Sequence, residues 1–294
     1  MTLQRIDAAW CAAHPLPNLG QGEDKDARGQ ALVMGGSAFV PGALLLTGEA
    51  LLRVGAGKVK LATLAQVAIG LGLAFPEAAT IALPGDAEGE IAADALPMLD
   101  RHLDSCDALV LGPGMMPRPH TADLIAAVMA LAGARAPVLL DAGALTSMRG
   151  CEAVVRAHPG PVVMTPHHGE LAALMGIDKD SVAADPVAAV RNAAAAFGAI
   201  VVLKSSETLI ADRQGALLGY QSAAPGLGTA GSGDVLAGVI GGLLARGVAP
   251  LVAAAWGVWL HGEAGRAASD TIGPIGFLAR DLLSPLPRLL ATER

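Results

Sequence analysis

The sequence predicts an α/β protein: a doubly wound, mostly parallel sheet with helices on both faces, in three layers. Three observations carry that prediction. The strand segments, such as Gln30–Met34, Ala108–Leu111 and Ile200–Leu203, are continuous apolar runs and not alternating ones, as expected of strands buried on both faces. Segments of helical periodicity alternate with them along the chain, which is the pattern of a parallel sheet. Finally, glycine or a polar residue stands just past the end of run after run: Gly35-Gly36-Ser37, Gly112-Pro113-Gly114, Asp141, Thr165-Pro166-His167 and Lys204. In open α/β sheets that edge is where ligands bind.

Composition narrows the class. The chain has 294 residues, 53% hydrophobic and 16% charged, enough for a sizeable core and unlike a disordered or fibrous chain. A net charge of -7 argues against nucleic acid or an anionic membrane as partner. The three cysteines, Cys11, Cys106 and Cys151, are widely spaced. They read as reduced, inert thiols of a cytoplasmic protein, with no metal-ligand pattern. Asp7, His14 and the charged residues 23–28 are wrong for an export signal. The most apolar stretch, 235–260, is split by Arg246 and Pro250 and reads as two core helices and not a membrane span.

The elements follow in order. Residues 1–29 read as an irregular arm punctuated by Pro15, Pro17, Gly20, Gly22 and Gly29. Residues 30–294 read as one domain, without linker or repeat. Gln30–Met34 is a buried strand, followed by a helix from about Pro41 that Gly55-Ala56-Gly57 stops. Strands are expected at 58–62, 78–83, Ala108–Leu111, 137–140, 161–164 and Ile200–Leu203. Helices are expected at 122–131 and 170–175, and another opens at Asp185-Pro186. Segments 208–211 and 216–219 flank the turn Asp212-Arg213-Gln214-Gly215 and read as a hairpin at a sheet edge.

The sequence is organised around Gly226-Leu227-Gly228-Thr229-Ala230-Gly231-Ser232-Gly233-Asp234. Val235, Leu236, Val239, Ile240, Leu243 and Leu244 continue it on one helical face. Ser232 is a candidate N-cap. The glycines let backbone N–H groups converge, and a helix N-terminus adds partial positive charge, so the loop is an anion site. Asp234, in the first turn, would be a base for a hydroxyl beside the bound phosphate. A glycine-rich turn that only stabilises a helix is the equal alternative at this point. Other edge residues also have plain readings. Asp141 can be an N-cap, and His167 or His168 can cap the helix near Glu170. Lys204 is harder to assign to the core, and it could pair with a nucleotide phosphate. His261, on a helix over 251–264, reads as a packing histidine.

Taken together, the motifs resemble the ADP-dependent NAD(P)H-hydrate dehydratases, which have a ribokinase-like fold. The match runs from about Lys25 to Gly265. Gly35-Gly36-Ser37 with Gly42-Ala43, Arg53 with Gly55-Ala56-Gly57, Gly112-Pro113-Gly114, Asp141-Ala142, Thr165-Pro166-His167 with Gly169-Glu170, Lys204, and Gly231-Ser232-Gly233-Asp234-Val235-Leu236 follow in the family's order. The chain departs from the family's glycine at Met116, from its proline at His168, and from its glycine at Ser205. The family's histidine before Lys25 is absent.

The resemblance implies ADP-dependent conversion of hydrated NADH or NADPH back to the reduced coenzyme, with AMP and phosphate released. It implies Asp234 as catalytic base, and Ala43, Gly114, His167 and Asp234 around the hydrate. It places Lys204, Ser205, Ser206, Glu207, Thr208, Gly231, Ser232 and Gly233 around the nucleotide. It implies ADP as donor with Mg²⁺, no protein metal site, and a homo-oligomer, a homotetramer in the family. Epimerisation of the hydrate is not expected. Two other functions stand beside it: a kinase of the same fold acting on a vitamin-like alcohol, and a non-catalytic nucleotide sensor.

Overall fold

The computed structural model describes residues 2–17, 24–134 and 136–292. The chain begins with β1 (Gln4–Arg5), α1 (Ala8–Ala13), β2 (Gln30–Met34), α2 (Ala43–Arg53), β3 (Lys58–Leu64), α3 (Ala65–Ala74) and β4 (Ala79–Leu83). It continues with α4 (Leu96–Leu103), β5 (Ala108–Leu111), α5 (Pro119–Ala132), β6 (Val138–Leu140), α6 (Ala142–Ser147), α7 (Glu152–Ala157), β7 (Val162–Met164) and α8 (His168–Met175). Then come α9 (Lys179–Ala184), α10 (Pro186–Phe197), β8 (Ile200–Leu203), β9 (Glu207–Ala211), β10 (Leu217–Gln221), α11 (Ser232–Ala245), α12 (Pro250–Thr271) and α13 (Leu286–Thr292).

These strands form one sheet in the order β1-β10-β9-β8-β7-β6-β5-β2-β3-β4. Every neighbouring pair is parallel except β8 with β9 and β9 with β10. The chain leaves β2 outward through β3 to β4, then returns to β5 on the other side of β2. The order therefore reverses between β2 and β5, and their following loops, Gly35-Gly36 and Gly112-Pro113-Gly114, open a crevice there. Met34 O accepts from Gly112 N at 3.0 Å, and Pro113 O from Gly36 N at 2.7 Å, so the two loops are tied together.

One core lies on each face of the sheet. Leu44, Leu51, Val235, Ile240, Leu243, Trp256 and Leu260, from α2, α11 and α12, fill one. Leu99, Ile125, Val128, Leu171, Val190 and Phe197, from α4, α5, α8 and α10, fill the other. Local chemistry sets the helix ends. At α10, Asp185 Oδ1 accepts from Ala188 N at 2.9 Å, Pro186 occupies the first turn, and Gly198 ends the helix at φ 64°, as expected for these cap positions.

α2 and α11 lie unusually close. A β-carbon on Gly238 would sit 2.2 Å from Thr47 O, and one on Gly242 would sit 2.6 Å from Leu51 O. Small residues one turn apart thus let the two backbones touch, and they bring two helix N-termini side by side at the crevice.

Two expectations change. The N-terminal arm is not irregular where it is described. β1 pairs in parallel with β10, and α1 buries Trp10 and Cys11 in the core. Trp256 Nε1 donates to His14 O at 2.8 Å. Asp7 starts α1 by accepting from Trp10 N at 2.8 Å, a capping signal that a scan for long periodic helices passes over. Gly20, Gly22 and Glu23 lie outside the described residues. The β9–β10 hairpin forms around Asp212, whose Oδ1 accepts from Ala216 N at 2.8 Å. It is not the sheet edge, however, because β1 covers it. Among the described residues no helix is long and apolar enough to cross a membrane.

Candidate active site

The anion loop leads into α11 through Gly231, the N-cap, at φ 86°. A β-carbon there would lie 2.6 Å from Leu46 Cδ1, so both the conformation and the space call for glycine. Ser232 is not the N-cap. It is the first helical residue, and its hydroxyl turns back to His261 Nε2 at 2.9 Å. Ser232 N donates to Thr229 O at 3.3 Å and Val235 N to Gly231 O at 3.2 Å. Between them, the N–H groups of Gly233 and Asp234 have no protein acceptor among the described residues. They are the free donors of an anion site.

A buried charge cluster faces those donors. Lys204, at the end of β8, donates from Nζ to Asp141 Oδ1 at 2.9 Å and lies 3.6 Å from Glu170 Oε2. A β-carbon on Gly233 would lie 3.4 Å from Lys204 Nζ, so the ammonium sits beside the helix N-terminus. Asp141, at the end of β6, is 2% exposed and also accepts from Thr165 Oγ1 at 2.7 Å. Burial opposes the charge on Lys204, but Asp141, Glu170 and Asp234 outweigh it and hold its pKa above the ordinary lysine value. Asp234 responds in the opposite sense. Burial, with Asp141 and Glu170 nearby, pushes its carboxyl up to about 7, against the pull of Lys204. A carboxylate poised near neutrality is what a general base requires.

His167 follows β7. Its Nδ1 accepts from Glu170 N at 3.0 Å while Glu170 Oε2 accepts from His167 N at 2.7 Å, a reciprocal capping box at the start of α8. The capping reading of His167 therefore holds. Because Nδ1 is an acceptor, a neutral ring carries its proton on Nε2, and the side chain is exposed. The cap is therefore His167 and not His168. His168 is the first residue of α8, and its half-buried ring has a pKa lowered by desolvation and by Lys179 and His167.

Ala43 and Gly114 meet at the start of α2. A β-carbon on Gly114, which has φ 72°, would lie 2.7 Å from both Ala43 Cβ and Val40 O. Ala43 is buried, and its helix has no side-chain cap. What the start of α2 offers a ligand is therefore backbone N–H and a helix dipole. Leu46, one turn on, reaches Gly231, so this second N-terminus adjoins the first.

The Carb_kinase family model, described as NAD(P)H-hydrate dehydratase, matches residues 31–288. The chain belongs to the NAD(P)H-hydrate dehydratase family. It is 44% identical over 289 residues to the ADP-dependent (S)-NAD(P)H-hydrate dehydratase of Xanthomonas campestris pv. campestris, covering 98% of this chain and 96% of that one. It is 34% identical to the enzyme of that name from Neisseria meningitidis serogroup B, covering 98% and 93%. In structure it matches the ADP/ATP-dependent NAD(P)H-hydrate dehydratase of Bacillus subtilis, co-crystallised with ATP and Mg²⁺. The TM-score is 0.85 at 27% identity, over all of both chains. The doubly wound sheet expected from the sequence is the ribokinase-like fold of these relatives.

Ser205 and Ser206 form the tight turn from β8 to β9, whose first residues are Glu207 and Thr208. Ser205 Oγ donates to Glu207 O at 2.5 Å, and Thr208 Oγ1 donates to Ser205 O at 3.0 Å. Ser206 O accepts from Ser222 N at 2.8 Å. The two side-chain hydroxyls are used inside the turn, and Glu207 is exposed. Of the expected nucleotide residues, Lys204, Gly231, Ser232 and Gly233 gather around the free N–H groups. The turn extends this group along the sheet edge.

From the sequence, Asp141 reads as an N-cap, and Thr165 and Glu170 carry no role of their own; the Lys204 ammonium that brings Asp141 and Glu170 together is visible only in three dimensions. Ala142, directly after Asp141, has φ 46°. Among the described residues it is the one non-glycine in the left-handed region, a strained turn of the kind found at functional sites.

Proposed function

We infer that this chain repairs hydrated nicotinamide coenzymes by ADP-dependent dehydration, converting (S)-hydrated NADH or NADPH to NADH or NADPH with release of AMP and phosphate. The observation that carries the inference is the juxtaposition of Asp234, poised near neutrality, with the free N–H groups of Gly233 and Asp234 and with Lys204. Family membership supplies the substrate.

The hydrate carries a hydroxyl on the reduced ring, and hydroxide is a poor leaving group. Asp234 takes the hydroxyl proton as the oxygen attacks the β-phosphorus of ADP. The bond from that phosphorus to the bridging oxygen breaks, and AMP departs. The ring then expels phosphate, the adjacent carbon gives up a proton, and the ring double bond reforms. The N–H groups of Gly233 and Asp234, with Lys204, stabilise charge on the transferred phosphoryl group, which is most of what catalysis of such transfers requires. The exposed Nε2–H of His167 and the start of α2 at Ala43, against Gly114, provide polar donors for the hydrate.

Mg²⁺ fits this site. Asp141, Glu170 and Asp234 place three hard oxygen donors around one lysine, and burial first, then the neighbouring Asp141 and Glu170, raises the Asp234 pKa. Such a cation would be bound through one or two carboxylates and the substrate phosphates. Glu170 and Asp141 would supply those carboxylates. When bound, Mg²⁺ offsets phosphate charge. A homo-oligomer and a cytoplasmic location are also part of this reading.

The test is Asp234→Asn. Turnover of hydrated NADH with ADP should fall by ~10²- to 10⁴-fold, while ADP still binds. A variant with near wild-type kcat would remove Asp234 as the base.

A further inference from the structure

His261 is a half-buried histidine that the reaction above does not use. It lies on α12 between the buried Leu260 and Gly262, and its ring meets the start of α11. Its Nε2 is 2.9 Å from Ser232 Oγ and 3.0 Å from Ser232 O. The second distance settles the tautomer. A carbonyl oxygen is only an acceptor, so a ring nitrogen at 3.0 Å from it carries the proton. Burial keeps the ring neutral, with a pKa of about 4.

The consequence falls on Ser232. With Nε2–H as donor, the seryl oxygen facing it is an acceptor, so its own hydrogen cannot point at the ring. That hydrogen is turned away from α12, on the residue directly before the free N–H groups of Gly233 and Asp234. We propose that His261 is a positioning residue of the anion loop, which fixes Ser232 so that its hydroxyl donates to a phosphoryl oxygen of the bound nucleotide. His261 touches neither substrate. It acts through Ser232, and it also clamps the Ser232 carbonyl and so the first turn of α11. The proposal rests on the dehydratase reading for the identity of the phosphoryl group, but not for the presence of an anion site.

The experiment compares His261→Leu, His261→Gln, Ser232→Ala and the double variant His261→Leu/Ser232→Ala with wild type. ADP affinity is measured by calorimetry, and kcat/KM for ADP with hydrated NADH as co-substrate. A single positioned donor in such a site carries a large effect, so His261→Leu and Ser232→Ala should each lower kcat/KM for ADP by about 10- to 100-fold and weaken ADP binding. His261→Gln keeps an N–H at similar reach and should recover most of the loss. Because the two residues act as one unit, the double variant should be no worse than the poorer single variant. Multiplicative losses in the double variant, or a glutamine no better than leucine, would overturn the proposal. If His261→Leu does not fold, Ser232→Ala and His261→Gln still decide it: an undiminished Ser232→Ala or a crippled His261→Gln contradicts it. Wild-type protein that binds ADP but never restores NADH would instead refute the dehydratase reading, and ADP affinity across the variants would still test His261.

Discussion

Lys204 Nζ and Asp141 Oδ1 meet at 2.9 Å and join the ends of β8 and β6 across the intervening strand β7. Asp141 is almost fully buried and receives only this ammonium and the Thr165 hydroxyl among the described side chains. Removing the lysine therefore does two things: it takes a cation from the nucleotide site, and it leaves a buried carboxylate without its counter-charge.

Lys204→Ala should raise the KM for ADP more than the KM for the hydrate. It should also lower the melting temperature, since an orphaned buried charge costs roughly 3–5 kcal/mol. Adding Asp141→Asn should restore much of the stability but not the ADP affinity. Equal effects on both substrates in steady-state kinetics, or no stability rescue in the double variant, would contradict the assignment.

The pH dependence follows from Asp234. The base must be ionised, so kcat/KM should rise with pH through about 7 and level off above it. Stability runs the other way. The folded carboxyl retains its proton up to about 7, whereas the unfolded one releases it near 3.8. The folded state thus binds more protons between those values, and stability is lost as pH rises through that window. Asp234→Asn escapes the loss. It should melt above wild type at pH 8, by about 1–3 kcal/mol after allowance for solvent screening, with a smaller margin at pH 5. Melting curves at the two pH values check the sign.

His167 combines a structural and a ligand-facing role, and the two can be separated. His167→Ala loses the cap of α8, a cost of ~1 kcal/mol, as well as the exposed Nε2–H. His167→Asn keeps a capping oxygen and loses only the ring donor. Both should raise the KM for the hydrate by a factor matching roughly 0.5–1.5 kcal/mol, while only alanine lowers the melting temperature appreciably. His168→Ala should be nearly silent in kinetics. The reverse ranking of the two histidines would mean that His168 faces the substrate.

Gly231→Ala probes the backbone of the anion loop. A side chain at φ 86°, with a β-carbon 2.6 Å from Leu46 Cδ1, should cost ~1–3 kcal/mol and displace the Gly233 and Asp234 amides. ADP affinity should fall together with the melting temperature. Unchanged ADP binding would mean that the loop is not held in this conformation when nucleotide is bound.

Much of the fold was legible because its strands are short apolar runs with abrupt ends. Gln30–Met34, Ala108–Leu111 and Ile200–Leu203 occupy the expected bounds. The anion loop and Lys204 were legible because glycine clusters and a lone charge are conspicuous beside such runs. What escaped depended on contacts distant in sequence. β1 is two residues long and exists through its pairing with β10. α3 has apolar residues all round and no single-face pattern, and α6 begins at a strained alanine. Ser232 looked like a cap because serine before a helix usually is one. His261, 29 residues away, takes its hydroxyl instead. Asp141 had an ordinary capping reading, and Glu170 marked only the start of a helix, because the lysine between them is 34 or more residues away in sequence.

Phosphoryl transfer at this site ends in dehydration. The direct measurement is absorbance of the reduced nicotinamide when the protein is mixed with hydrated NADH, ADP and Mg²⁺, with AMP and phosphate assayed in parallel. The absorbance should recover, with one AMP and one phosphate formed per NADH restored. AMP formation with a stable phosphorylated product and no recovered absorbance would contradict it and make the protein a kinase. ADP binding without any turnover would contradict it in favour of a nucleotide sensor.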